Sequence, residues 1–209
     1  MVERGRALRR GVRLERLTVA WMLVEAALAL GAGVAARSVL LTAFGFDSVV
    51  ELMSGFVLLR RLSVEADGSS VVSVERLEKT TARISAVLLA ALCAFVALTS
   101  AAGLVFRVKP DGSVLGLVVA AAATAGMPAL AWAKSRANRT IGSASLRADV
   151  AESVTCAYMA AVTLCGVGAS MLFGLWWLQY VGALGLLVWL VPEAREAFEA
   201  AGSTPRADN

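Results

Sequence analysis

The chain has 209 residues, of which 58% are hydrophobic and 17% charged. Soluble domains carry about 25% charged residues, so too little polar surface is present to cover a water-soluble globule, and the sequence reads as an integral membrane protein. The net charge of +4 does not point to nucleic acid, because the basic residues are distributed by membrane side and not gathered into one soluble domain.

A helix needs about 20 predominantly apolar residues to cross a hydrocarbon core roughly 30 Å thick. Residues 1–16 read as a basic tail carrying Arg4, Arg6, Arg9, Arg10, Arg13 and Arg16. The first apolar run, Leu17 to Ala36, exceeds the roughly 7 to 15 residues of a signal-peptide core. It is therefore expected as a retained first helix, although Val34-Ala35-Ala36 resembles a small-residue cleavage site. Further runs follow at Val39 to Leu59, Ile84 to Phe106, Val114 to Ala133, Ala144 to Ser170 and Met171 to Val191. The expected fold is all-α, a polytopic membrane bundle of six transmembrane helices over 17–192, with a short polar tail over 193–209 too small for a soluble domain.

Besides the N-terminal arginines, one side receives Arg60, Arg61, Arg76, Lys79, Arg83, Lys134, Arg136, Arg139, Arg147, Arg195 and Arg206; the other receives Arg37, Arg107 and Lys109. The basic excess marks the cytoplasmic side, which places both termini in the cytoplasm; a plasma (inner) membrane is the expected location. The opposite connections are short: Arg37-Ser38, the turn-forming Lys109-Pro110-Asp111-Gly112-Ser113, and one around Phe173-Gly174. Trp176-Trp177 and Tyr180 suit an interfacial aromatic belt. Small-residue runs such as Leu30-Gly31-Ala32-Gly33 and Gly166-Val167-Gly168 suit close helix approach, and Pro128 is expected to kink helix four.

Acidic residues fall inside the apolar runs at Glu25, Asp47, Glu51, Asp149 and Glu152. No Lys or Arg is expected deep in a helix to neutralise them, Arg147 coming nearest. A carboxylate ionised at the bilayer centre costs about 2.5 to 3.5 kcal/mol even on insertion scales, so a group of them needs protons, a bound cation or water. Residues four apart share a helix face. Asp47 and Glu51 therefore lie one turn apart on helix two, with Ser54 three residues on, and Glu152 and Cys156 do the same on helix five. Opposed at mid-membrane, the two faces supply a four-ligand set for a divalent metal; the alternative is that each acid is protonated and hydrogen-bonds a neighbouring helix. Glu25 and Asp149 are auxiliary candidates for a metal or proton path, or packing contacts.

Carboxylates favour Mn(II), a thiol moves preference toward Zn(II) or Cd(II), and Fe(II) lies between; the balance is read here as zinc-like. The ion is cargo, and no permanently bound cofactor is expected. Cys93, Cys156 and Cys165 all lie in apolar runs, so no disulfide framework is expected. An enzyme acting on lipid phosphate is not expected, because no Arg or Lys cluster lies at membrane depth to clamp a phosphate and no nucleophile constellation is present. The acidic signatures of helices two and five run in opposite directions through the bilayer, the arrangement of two inverted halves in an alternating-access transporter.

Gly45-Phe46-Asp47-Ser48-Val49-Val50-Glu51 and Arg147-Ala148-Asp149-Val150-Ala151-Glu152-Ser153-Val154-Thr155-Cys156 resemble the cation diffusion facilitator (cation efflux) family. That family exports divalent metals in exchange for protons, through Asp-x-x-x-Asp on helix two and Ala-Asp-x-x-His-x-x-x-Asp on helix five. The resemblance puts Glu152 at the histidine position and Cys156 at the final aspartate. The chain departs from the pattern in having no histidine and in carrying Glu51 for an aspartate. It most resembles the compact, membrane-only branch, whose Pro-x-x-Ser-x-x-Gly turn matches Pro110, Ser113 and Gly116, but it has Gln179-Tyr180 where that branch has Asp-Pro. The resemblance implies a divalent metal ion and protons as partners, within the lipid bilayer, and a homodimer. The rival reading is a non-transporting membrane subunit or metal-binding accessory protein.

Overall fold

The computed structural model describes residues 2–66 and 72–202. These residues form six helices and no strand: α1 (Val2–Ala35), α2 (Val39–Ala66), α3 (Val72–Val105), α4 (Val114–Ile141), α5 (Ala144–Phe173) and α6 (Trp177–Gly202). All six are long and apolar enough to cross a membrane, as expected for an integral membrane protein.

Helix ends follow local chemistry. Ser113 and Ser143 cap α4 and α5, their hydroxyls accepting the Gly116 and Leu146 amides, which satisfies donors that a first turn leaves open. Gly142 and Gly174 close the same helices at φ of 72° and 68°, the left-handed stop that glycine takes without a Cβ clash. Arg37 and Arg107 enter that region too, each at φ 52°, where α1 and α3 give way to their turns.

Two stretches expected as tails are helical. Residues 2–16 continue into α1 because Arg, Leu, Glu and Ala are strong helix formers, and Leu8, Val12 and Glu15 recur at helical spacing on a buried stripe. Residues 193–202 likewise extend α6 through Pro192, carried by Glu-Ala-Arg-Glu-Ala. α4 also continues unbroken through Pro128.

α1, α2, α5 and α4 close a ring in which each helix packs on the next, and α3 and α6 pair beside it against α2 and α5. Leu40, Leu41, Phe44, Met127, Met159, Leu186 and Leu190 fill the common core. Backbones approach closely along the α1–α2 seam, where a Cβ on Gly45 would lie 2.7 Å from the Leu30 amide nitrogen. Small residues permit this approach, as in membrane helix pairs generally.

One end of the bundle, the loop end, gathers the three short connections. Asp111 N–H donates to Ala36 C=O at 2.8 Å, Arg37 pairs with Asp111 at 3.0 Å, and Tyr180 Oη donates to Val108 C=O at 2.8 Å. Tyr180 is buried, with its hydroxyl turned to the Val108 carbonyl. At the same end Ser38 Oγ donates to the buried Gln179 Oε1 at 2.6 Å, tying the start of α2 to the start of α6. At the other, tail end, Leu8 and Val12 of α1 meet Leu58, Leu62, Ala137, Ile141 and Leu146 in a second apolar cluster.

Candidate functional site

α2 carries its two acids about 12 and 18 Å along an axis of roughly 42 Å, at 1.5 Å per residue. Asp47 is 1% and Glu51 3% exposed. Asp47 Oδ2 and both Glu51 carboxylate oxygens are enclosed without a hydrogen-bond partner. Buried polar groups are normally satisfied, so oxygens enclosed in this way mark a place where a proton, water or cation is needed.

α5 faces them with Glu152, whose Oε2 accepts from Ser54 Oγ at 2.9 Å, and with the fully buried Cys156. Glu51 lies within electrostatic reach of Asp47, Glu152 and Glu193, and Asp47 within reach of Glu25, Glu152 and Glu193. The two acidic faces read from sequence thus share one interior region. They are not drawn into a closed ligand shell: among the described residues, no group of three or more His, Cys, Asp or Glu side chains is placed to hold a metal ion.

Glu25, on α1, is drawn into the same region. Its Oε1 accepts from Ser48 Oγ at 2.8 Å and from Cys156 Sγ at 3.6 Å, and its Oε2 accepts from Trp21 Nε1 at 2.5 Å. The Cys156 thiol is therefore hydrogen-bonded to the α1 acid, a connection the two-helix reading of the sequence did not contain.

Asp149 is held differently. Lys134 Nζ lies 2.6 Å from Asp149 Oδ2 and 2.9 Å from Glu15 Oε2, and Lys134 is 1% exposed. This corrects the expectation that no basic residue lies deep in a helix. Lys134 was counted as a loop charge because the apolar run stops at Ala133, whereas α4 continues to Ile141. Glu15 was hidden by the arginines around it, although it stands on the Leu8 and Val12 stripe that could have revealed it. The pairing ties α1, α4 and α5 together and gives Asp149 a counter-ion that it shares with Glu15.

A cavity of about 670 Å³ runs inward between α2, α3, α5 and α6. Glu51, Ser54, Asp149 and Glu152 line it, joined by Glu193 and Glu196 of α6. The sequence reading stopped α6 at Val191 and missed both α6 acids; their spacing of three, continuing the helical run past Pro192, was the available signal. Its lining includes Ser145 and Ala148 near the start of α5 and Glu193, Glu196 and Ala197 toward the end of α6, so it reaches Glu51 and Glu152 from the tail end, whereas hydrogen bonds link the connections at the loop end. No protein-family model matches the chain, and no curated protein matches it.

Proposed function

We propose that the protein is a secondary transporter of divalent metal cations, zinc-like in preference, that moves them out of the cytoplasm in exchange for protons. The observation that carries this reading is the enclosed set of Asp47 and Glu51 oxygens without partners, with Glu51 and Glu152 lining a cavity and Asp47 and Cys156 buried one helical turn beyond them. The resemblance of the α2 and α5 strings to the cation diffusion facilitator family supports the same class, as does the basic excess on one side, which puts the tail end in the cytoplasm.

The exchange follows from ligand chemistry. Carboxyl and thiol groups bind metal in their deprotonated forms, so binding releases protons and apparent affinity rises with pH. In the conformation with the cavity reaching the acids, a cation arriving from the tail end displaces protons from Asp47, Glu51, Glu152 and Cys156. The rotation of the Asp47 and Glu51 side chains toward α5 closes the shell around the ion. Opening of the loop end then exposes the loaded site to the other side, where protonation lowers affinity and releases the cargo. Ser54 holds Glu152 in place during loading, and Glu25 orients the Cys156 thiol before it gives up its proton.

Calorimetric titration of Zn(II) into the purified protein, in buffers of differing ionisation enthalpy, tests the coupling. The expected result is a heat that varies with buffer, reporting net proton release, with the buffer-dependent part lost in Asp47→Asn. Binding with no proton release, or binding that survives Asp47→Asn unchanged, supports the non-transporting accessory reading instead.

A further inference from the structure

Glu193 and Glu196 stand three residues apart and therefore share one face of α6, the face that lines the cavity. Glu193 Oε2 is enclosed and has no hydrogen-bond partner. Across the cleft, α3 contributes Ser85, 8% exposed, whose hydroxyl is also enclosed and unpartnered while its residue lines the same cavity. Further in lie Glu51, unpartnered, and Glu152. Among the described residues that line the cavity there is no Lys or Arg; Asp149 alone has a cation behind it, Lys134.

An acidic cleft with low-dielectric walls focuses its field and concentrates counter-ions. The space of about 670 Å³ far exceeds what a bare ion occupies, and a water takes about 30 Å³, so a cation can enter with its hydration shell. The side chains also do not close on one another as a direct ligand set, which makes contact through water the fitting mode. We propose that Glu193 and Glu196 of α6, with Ser85 of α3, form an outer station that captures a hydrated divalent cation and hands it to Glu51 and Glu152. This rests on the proposed transport reading for its purpose, but the station itself is a binding site that stands or falls separately. It assigns the α3–α6 pair a role in cation capture and supplies an α6 contribution at the tail end.

The test is equilibrium binding of Mn(II), followed by electron paramagnetic resonance, to the full chain in lipid nanodiscs. Wild type is expected to bind in two classes, a tighter inner one and a weaker outer one that fades as ionic strength rises. The double variant Glu193→Gln/Glu196→Gln is expected to weaken the outer class about tenfold and leave the inner class. Asp47→Asn is expected to remove the inner class and leave the outer. Glu196 is exposed, so Glu196→Gln alone keeps the fold intact and is expected to weaken the outer class about threefold. A single binding class in wild type, or an outer class unchanged by the α6 substitutions, overturns the station. An outer class that persists while Asp47→Asn leaves the inner class untouched upholds the station and counts against the inner four-ligand reading.

Discussion

Ser54 Oγ reaches Glu152 from α2, and Cys156 reaches Glu25 on α1, so the two α5 groups are each oriented by a neighbour from another helix. Groups that orient a metal ligand commonly change affinity 10- to 100-fold when removed. Ser54→Ala is therefore expected to weaken Zn(II) binding about tenfold, read by titration, while leaving thermal unfolding nearly unchanged. Lys134 makes a different prediction. Removing one partner of a buried ion pair costs about 3 to 5 kcal/mol, because the charges left behind have no counter-ion, whereas replacing all partners together is often close to neutral. Lys134→Met is expected to lower the unfolding temperature in detergent sharply. The combined Glu15→Met/Lys134→Met/Asp149→Leu variant, apolar throughout, is expected to recover most of that loss, and a triple variant as unstable as the single one would contradict the ion-cluster explanation. The residues of the inner site were legible because acids in apolar runs conflict with their surroundings. Glu15, Lys134 and Glu193 were not, because each lies where flanking charges or a proline end the apolar signal while the helix itself goes on.

The helices were legible as apolar runs of bilayer length, and their turns as Pro, Gly and Ser at the right places. Their true ends were not, because helix propensity and burial at the tail end extend α1, α4 and α6 beyond the hydrophobic stretch. Small residues also divide by position in a way the sequence does not announce. Gly45 meets the α1 backbone, whereas a Cβ on Gly31 would meet nothing within 4 Å. Gly45→Ala is thus expected to destabilise by about 1 to 3 kcal/mol through overpacking. Gly31→Ala is expected to be neutral or to stabilise by up to about 1 kcal/mol, since alanine is the better helix former. Thermal unfolding of the two variants side by side checks both, and equal effects would remove the close-approach explanation of the α1–α2 seam.

In the whole molecule, four helices close a ring, a helix pair beside it completes with α2 and α5 the walls of a cavity that reaches Glu51 and Glu152, and hydrogen bonds at the loop end link the far side together. Under the proposed exchange this is one of two conformations, the one that loads from the tail end. Metal flux into proteoliposomes under an imposed pH gradient decides whether the protein exchanges cations for protons. A fluorescent reporter inside would be challenged with Zn(II), Mn(II), Fe(II) and Cd(II), for wild type and Asp47→Ala. Gradient-dependent flux, strongest for Zn(II) and abolished by the substitution, is the expected result; no flux of any ion through correctly folded wild-type protein would contradict cation–proton exchange.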